Sequence, residues 1–532
     1  MAGIRRAAIS LCVALTPLLL PTERASAQPK RGDVVLETGF EGGDAGAGWS
    51  SAPKLDAGHA SAQAAVLERT DAAGPSAMIV RTLPAERMRG CVIACSAWIK
   101  AENVSEKPQP WNGIKFMIPI EAPSGRQWPQ ARIGSGSFEW TQVRFAVRVP
   151  ADAEKMSLML GLEAVTGKVW FDDVKIAIAK PPHTEKPKPS PVMHRGHSLP
   201  RLRGAMISPR SLTEADLRTL GQEWNANLVR WQLIRITRPG QSASLDEWDR
   251  WLEEELKRLD AMLPLCEKYG LYVALDLHSP PGGVGTAGGY AGSDTGLFTD
   301  KACQDRFVKA WEHMARRYKG QKVIWGFDLA NEPVEDAWDG ECDDWQALAE
   351  RTAKAIRAID PDRTIIVEPA EWGGPGGLRS FRPIAVPNVV YSVHMYLPHE
   401  FTHQGVHSPS APIRYPGEIG GKRWDKAALK EALQPAIEFQ KAYNVHIYIG
   451  EFSAIRWAPD QSAYRYLKDL IEVMEELGWD WSYHAFREWS GWSVEHGEDR
   501  ADENRAAKPT QRQELLMGWF AKNQKPAWTG KP

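Results

Sequence analysis

VIWGFDLANEPVE, Val323 to Glu335, is an apolar run that stops abruptly at Asn331, Glu332 and Pro333. The run suits a buried strand, so a carboxyl group stands where a strand ends, and parallel α/β sheets place their chemistry at such ends. An isolated Asn-Glu-Pro reads equally as a loop glutamate before a helix-starting proline. A second stretch changes that balance. HIYIGEF, His446 to Phe452, is another short apolar run terminated by an acid, Glu451.

Outward from these two, short apolar runs alternate with amphipathic stretches. The runs are LRGAM near 202, ANLVRW near 226, LYVALDLH near 271, VIWGFDLA at 323, TIIVE at 364, VVYSVH at 389, HIYIG at 446 and WDWSYHAF at 479. Between the second and third, Ser244 and Glu247 form a capping box, and Trp248, Leu252, Leu256, Leu259 and Leu263 recur at helical spacing. Ser211 with Glu214 repeats that start signal for a first helix, and comparable segments follow Asp300, Cys342, Asp425 and Asp460. Eight strand-then-helix units predict an α/β fold, a (β/α)8 TIM barrel with its site at the C-terminal strand ends; a doubly wound open sheet is the alternative.

The chain has 532 residues, too long for one ordinary core. Residues 33–179 hold runs such as SAMIVRTL, IACSAWIK, GIKFMIPI, TQVRFAVRV and KVWFDDVKIAI, separated by turn residues and lacking helical period. They predict an all-β, jelly-roll-like sandwich preceding the barrel. Residues 180–199, KPPHTEKPKPSPVMHRGHSL, read as a proline-rich, semi-extended linker, and 200–528 as the catalytic domain. At the start, Arg5 and Arg6, an apolar run from Ala7 to Leu20 and Ala25-Ser26-Ala27 read as a signal peptide over 1–27, so a secreted or periplasmic protein is expected. Without Cys12, five cysteines remain, an odd number that cannot all pair within one molecule.

A formal charge of −2 argues against a nucleic-acid binder, and no later segment is long and apolar enough for a spanning helix. No membrane partner is expected after signal cleavage, and the chain is expected to be a monomer. The 23 tryptophans suit stacking on sugar rings, although most should be core. The strand-end set is Arg230, His278, Asn331, Glu332, His394, Tyr396 and Glu451. Two carboxylates among neutral donors and rings suit glycosidic bond cleavage. No Gly-x-Ser-x-Gly elbow, metal ligand set or cofactor is assigned.

These residues resemble glycoside hydrolase family 5, the cellulase-like retaining β-glycanases. The resemblance runs from about Leu202 to Ser493 and rests on LVRW, LDLHSPPGG, FDLANEP, YSVHMY and IGEF, in the family's order. It implies Glu332 as general acid/base, Glu451 as nucleophile, Asn331 on the sugar 2-hydroxyl and Arg230 positioning the nucleophile. His278, His394 and Tyr396 would line the cleavage subsite, and His403, in PHEFTHQG, would reach a glycone subsite. One departure stands out. Many members end strand eight on a sugar-stacking tryptophan, but here His484 occupies that place, leaving Trp489 or Trp492 to supply a ring or to pack under the loop. The implied substrate is a β-linked oligo- or polysaccharide, first β-1,4-glucan; β-mannan or another β-glycoside is the alternative, and an inactive carbohydrate-binding protein the rival from another class. The N-terminal segment resembles carbohydrate-binding jelly-roll modules, and by that resemblance Glu41 and Asp173 would share a structural calcium ion. The same two also read as surface acids on neighbouring strands, since calcium needs further oxygen ligands. Trp98, Trp111, Trp128 and Trp140 are available to a sugar.

Overall fold

A computed structural model of the chain describes residues 28–42, 45–71, 73–182, 198–235, 244–282, 296–335, 338, 340–406 and 411–529. The signal segment and linker residues 183–197 lie outside the described residues.

The eight apolar runs become eight parallel strands: Arg203–Ile207, Leu228–Gln232, Tyr272–Asp276, Ile324–Asp328, Thr364–Val367, Val389–Met395, His446–Phe452 and Asp480–Phe486. They close in that order, the last pairing with the first, so the sheet is a barrel rather than an open one. A Gly-x-Gly-x-x-Gly from Gly283 to Gly288 follows the third strand, but it lies outside the described residues. Almost every strand residue is buried because each strand has two apolar neighbours, the barrel lumen and the helices outside. Leu202, Leu228, Tyr272, Ala274, Trp325, Ile366, Val390 and Tyr448 pack together inside the barrel. That filled lumen is what makes the strand ends a rigid platform.

The helix predicted from Ser244 and Glu247 runs Leu245–Lys268, with the capping box in place. Asp300 and Asp425 also cap helices, Lys301–Arg317 and Lys426–Ala432. The first helix corrects the sequence reading. Its capping box is Thr213 with Asp216, two residues beyond the Ser211 and Glu214 pair, and the helix starts at Glu214. The spacing Ser/Thr-x-x-acid occurs twice in SLTEAD, and local pattern cannot choose between overlapping registers.

The N-terminal segment forms two antiparallel sheets. One contains Val34–Thr38, Lys54–Asp56, Ala64–Arg69, Val92–Val104, Gly136–Arg148 and Gly167–Lys180; the other contains Ala77–Leu83, Gly113–Met117, Ile120–Ala122, Gly125–Gln127 and Lys155–Glu163. Alternating side chains of both sheets meet in a separate core that includes Ile93, Ile99, Phe116, Phe145, Leu158, Leu160 and Phe171. Trp111 and Trp128 are 59% and 60% exposed. Trp98 is covered by the His59 ring, stacked at 3.7 Å, and Trp140 packs beside Trp170. Asp173 sits near Asp172, Glu37 and Glu41, and its pKa is raised first by burial and then by Asp172. The Glu41 carboxylate accepts a hydrogen bond from the backbone N–H of Gln63 at 2.7 Å. The sandwich touches the barrel through Val92, Ala146 and Ala179 and through Arg148, whose guanidinium lies 3.0 Å from Glu335. Among the described residues no disulfide is formed, and no helix is long and apolar enough to cross a membrane.

Candidate active site

The barrel brings Arg230, His278, Asn331, Glu332, His394, Tyr396, Glu451 and His484 to one end, each within the last three residues of a strand or just beyond it. Glu332 and Glu451 come from the fourth and seventh strands. One oxygen of each, together with a His394 ring nitrogen, lies within 4.8 Å of the others. Both glutamates are mostly buried, 8% and 4% exposed, so their charges are weakly screened.

Arg230, fully buried, organises the floor. Its guanidinium reaches Glu451 at 2.6 Å, Asp328 at 2.8 Å, Glu368 at 2.9 Å and Asp276 at 3.1 Å. It also donates to the Asn331 side-chain oxygen at 3.2 Å, which leaves the Asn331 amide N–H2 as that side chain's donor. Four carboxylates around one cation are tolerable only because the cation is central. Replacing Arg230 with methionine leaves buried carboxylates uncompensated and is expected to cost about 3–5 kcal/mol of stability. Urea unfolding of the variant measures this; an unchanged midpoint would contradict it.

The two glutamates are held differently. Burial would raise the Glu451 pKa, but the positive charges of His394, His484, Arg230 and His278 overcome it and hold Glu451 well below the usual carboxylate range. The Tyr396 hydroxyl donates to Glu451 at 2.9 Å, stabilising the anion further. Glu332 is raised, first by burial and also by the negative charges of Glu451 and Glu368, against the opposing effect of His394. His394 stands between Glu332 and Glu368, with Nδ1 2.8 Å from Glu332 and Nε2 2.9 Å from Glu368, and Nδ1 lies 3.7 Å from Glu451. Burial would lower its pKa, but Glu368, Glu451 and Glu332 raise it well above an ordinary histidine. Glu332, Glu451 and His394 are also grouped closely enough to offer one ligand atom each to a divalent metal, in competition with the proton that the neighbouring carboxylates favour on His394.

Backbone geometry supports this packing. Glu332 has φ 45°, and its N–H donates to Glu368 at 2.8 Å, fixing a left-handed conformation unusual for glutamate. Gly450, just before Glu451, is glycine because a Cβ there would lie 2.5 Å from Ser392 Oγ and 3.0 Å from His394 Nε2.

His278 bonds Asp276 at 2.7 Å and so presents its other ring nitrogen elsewhere. His403 packs on Tyr396 and Trp492, with ring centroids 5.1 and 4.9 Å away. Trp489 is 41% exposed, whereas Trp492 is buried against His484 and Tyr396. Of the two tryptophans, the outward one is therefore Trp489.

Glu368 escaped the sequence reading although TIIVE ends on an acid as the two glutamate runs do. Asp276 and Asp328 lay unread inside LDLH and FDLANEP. PHEFTH also contains a His-Glu-x-x-His, His399 to His403, which sequence reading passed over. Its two imidazoles stack face to face, 3.8 Å apart and 10° from parallel, so their in-plane lone pairs run side by side instead of converging on an ion. Among the described residues no third donor forms a ligand group with them.

Residues 188–490 match the family model of Cellulase, glycosyl hydrolase family 5. The chain belongs to glycoside hydrolase family 5. It is therefore a glycoside hydrolase acting on O-glycosyl bonds. Endoglucanase C of Acetivibrio thermocellus is 31% identical over 269 residues, covering 45% of this chain and 75% of that protein. Cellodextrinase A of Ruminococcus flavefaciens is 27% identical over 242 residues, covering 45% and 70%. A solved glycoside hydrolase structure is 27% identical, with a TM-score of 0.48, over 60% of this chain and 99% of its own.

Proposed function

We propose that this family 5 enzyme is an exported, retaining endo-β-1,4-glucanase with Glu332 as general acid/base and Glu451 as nucleophile. The observation that carries the reading is the close approach of the two carboxylates, one oxygen of each lying within 4.8 Å of the other. A retaining pair stands about 5–5.5 Å apart, whereas an inverting pair leaves about 6.5–9.5 Å for a water.

Glu332, protonated, gives its proton to the leaving oxygen while Glu451 attacks the anomeric carbon, forming a glycosyl ester. Esterification removes the Glu451 charge that helped raise the Glu332 pKa, so Glu332, now ionised, can take a proton from water. The water's oxygen displaces Glu451 and the sugar leaves with retained configuration. Tyr396, hydrogen-bonded to Glu451, and Arg230 steady the carboxylate before and after the ester. The Asn331 amide is suited to the sugar 2-hydroxyl, and His278 to the same ring. Trp489, and Trp372 at 41% exposure, offer flat faces for neighbouring sugars. In this layout 1–27 is a cleaved leader, 33–179 a sandwich module, 180–199 a spacer and 200–528 the catalytic domain.

The endoglucanase named among the relatives favours β-1,4-glucan. Incubation with soluble β-glucan, mannan and xylan tests this. Reducing ends released fastest from β-1,4-glucan are expected; preference for mannan would make the enzyme a mannanase, and inertness toward all three would favour a binding protein.

The pH profile follows from the two shifts. Activity needs Glu451 ionised and Glu332 protonated, so a lowered Glu451 puts the acid limb below an ordinary glutamate and a raised Glu332 puts the basic limb above one. His394→Asn removes a cation that lowers both glutamates, so both limbs of kcat/KM should move to higher pH. Limbs that stay in place would contradict that electrostatic role.

A further inference from the structure

The substitution of His484 for a stacking tryptophan leaves an unusual wall beside the nucleophile. His484 offers a smaller and more polar face than a tryptophan, and both of its nitrogens are engaged. Nδ1 lies 2.5 Å from the Tyr396 hydroxyl and 3.7 Å from Glu451, and Nε2 lies 3.5 Å from Glu488. Glu488 thus stands one imidazole width beyond Glu451, about the reach of a single sugar ring. Its other oxygen accepts from Gln232 Nε2 at 2.6 Å.

Two acceptors on this wall are underused. A carboxylate can accept about four hydrogen bonds. Among the described residues Glu488 receives one hydrogen bond and one ion pair, with its side chain 25% exposed. Gln232, 1% exposed at the end of the second strand, turns its N–H2 to Glu488, and its carbonyl oxygen has no hydrogen-bond partner among the described residues. The Gln232 oxygen is a buried acceptor without a donor, which is costly, and the Glu488 carboxylate beside it is open on one side with bonding capacity left, so the pair suits a ligand that brings donors. Sugar hydroxyls are such donors. A hexuronate would instead bring a second negative charge against Glu488.

We propose that Glu488, held by Gln232 and His484, is a specificity-determining residue that accepts hydroxyl hydrogens of the sugar at the cleavage position and selects neutral over acidic rings. This rests on the hydrolase reading above. An imidazole and a carboxylate on the wall replace ring stacking with hydroxyl recognition, which is directional and therefore more selective.

The test compares the full-length protein with its Glu488→Gln variant on 2,4-dinitrophenyl β-glucoside, its four monodeoxy analogues at positions 2, 3, 4 and 6, and the matching glucuronide. For at least one analogue other than the 2-deoxy sugar, the missing hydroxyl should cost the parent about 10–100-fold in kcat/KM and the variant no more than about 3-fold. The glucuronide, poor for the parent, should gain relative to the glucoside in the variant. Should the variant fail to fold, Gln232→Leu read on the same series should flatten the same analogue's penalty. A parent that cleaves the glucoside while every deoxy penalty is equal in parent and variant overturns this inference alone. A parent that cleaves neither these glycosides nor cello-oligosaccharides overturns the hydrolase reading with it.

Discussion

Glu451→Ala should lower kcat by about 10⁴–10⁶-fold, the scale seen when a covalent nucleophile is removed. The fold should survive, for a reason visible in the site. Glu451 is one of four carboxylates around the single Arg230 guanidinium, at 2.6 Å, and three remain to hold that cation. The depressed pKa of Glu451 means that the folded site favours its anion, so removing it costs some stability, but not the organisation around Arg230. The variant is therefore expected to melt somewhat earlier than the parent, still in one cooperative transition, while being almost inactive. Normal turnover would contradict the assignment of Glu451. Lost activity with a collapsed melting temperature would point to a structural role instead.

Glu332→Ala should produce a different pattern. Loss of a general acid costs about 10²–10⁴-fold on oligosaccharides, whose leaving oxygen needs a proton. A 2,4-dinitrophenyl leaving group needs none, so the first step should remain fast with that substrate. The second step still lacks its base. The variant should therefore release a burst of dinitrophenol followed by slow turnover, and azide, a nucleophile that needs no base, should restore the rate and yield a β-glycosyl azide. Equal losses on both substrates, with no azide effect, would contradict the acid/base role. The two variants together separate the carboxylates by function, as their opposite pKa shifts already separate them by environment.

Much of this was legible before any coordinates. A barrel strand buried on both sides reads as a short apolar run, and the polar residues at its end mark the catalytic face. Read by that grammar, the run ends singled out Arg230, Asn331, Glu332, His394 and Glu451, which the barrel brings to one end. The same grammar applies to TIIVE, whose glutamate was read only as the end of a strand, because nothing local says that Glu368 meets Arg230 and His394. Gln232 and Glu488 were illegible for the same reason. Their pairing spans 256 positions in sequence and exists only once the second and eighth strands are brought together. The Thr213 cap was missed through an overlapping register. The His-Glu-x-x-His at His399 shows the converse, a local motif whose orientation in space does not support the chemistry it suggests.

Treatment with 2,4-dinitrophenyl 2-deoxy-2-fluoro-β-cellobioside tests the central claim most directly. The fluorine slows both steps, the good leaving group rescues the first, and a covalent glycosyl-enzyme should accumulate. Peptide mass spectrometry should find one fluorocellobiosyl group per molecule, on the peptide carrying Glu451. A label on another carboxylate, or an unlabelled enzyme that releases products of inverted configuration from cello-oligosaccharides, would contradict the account.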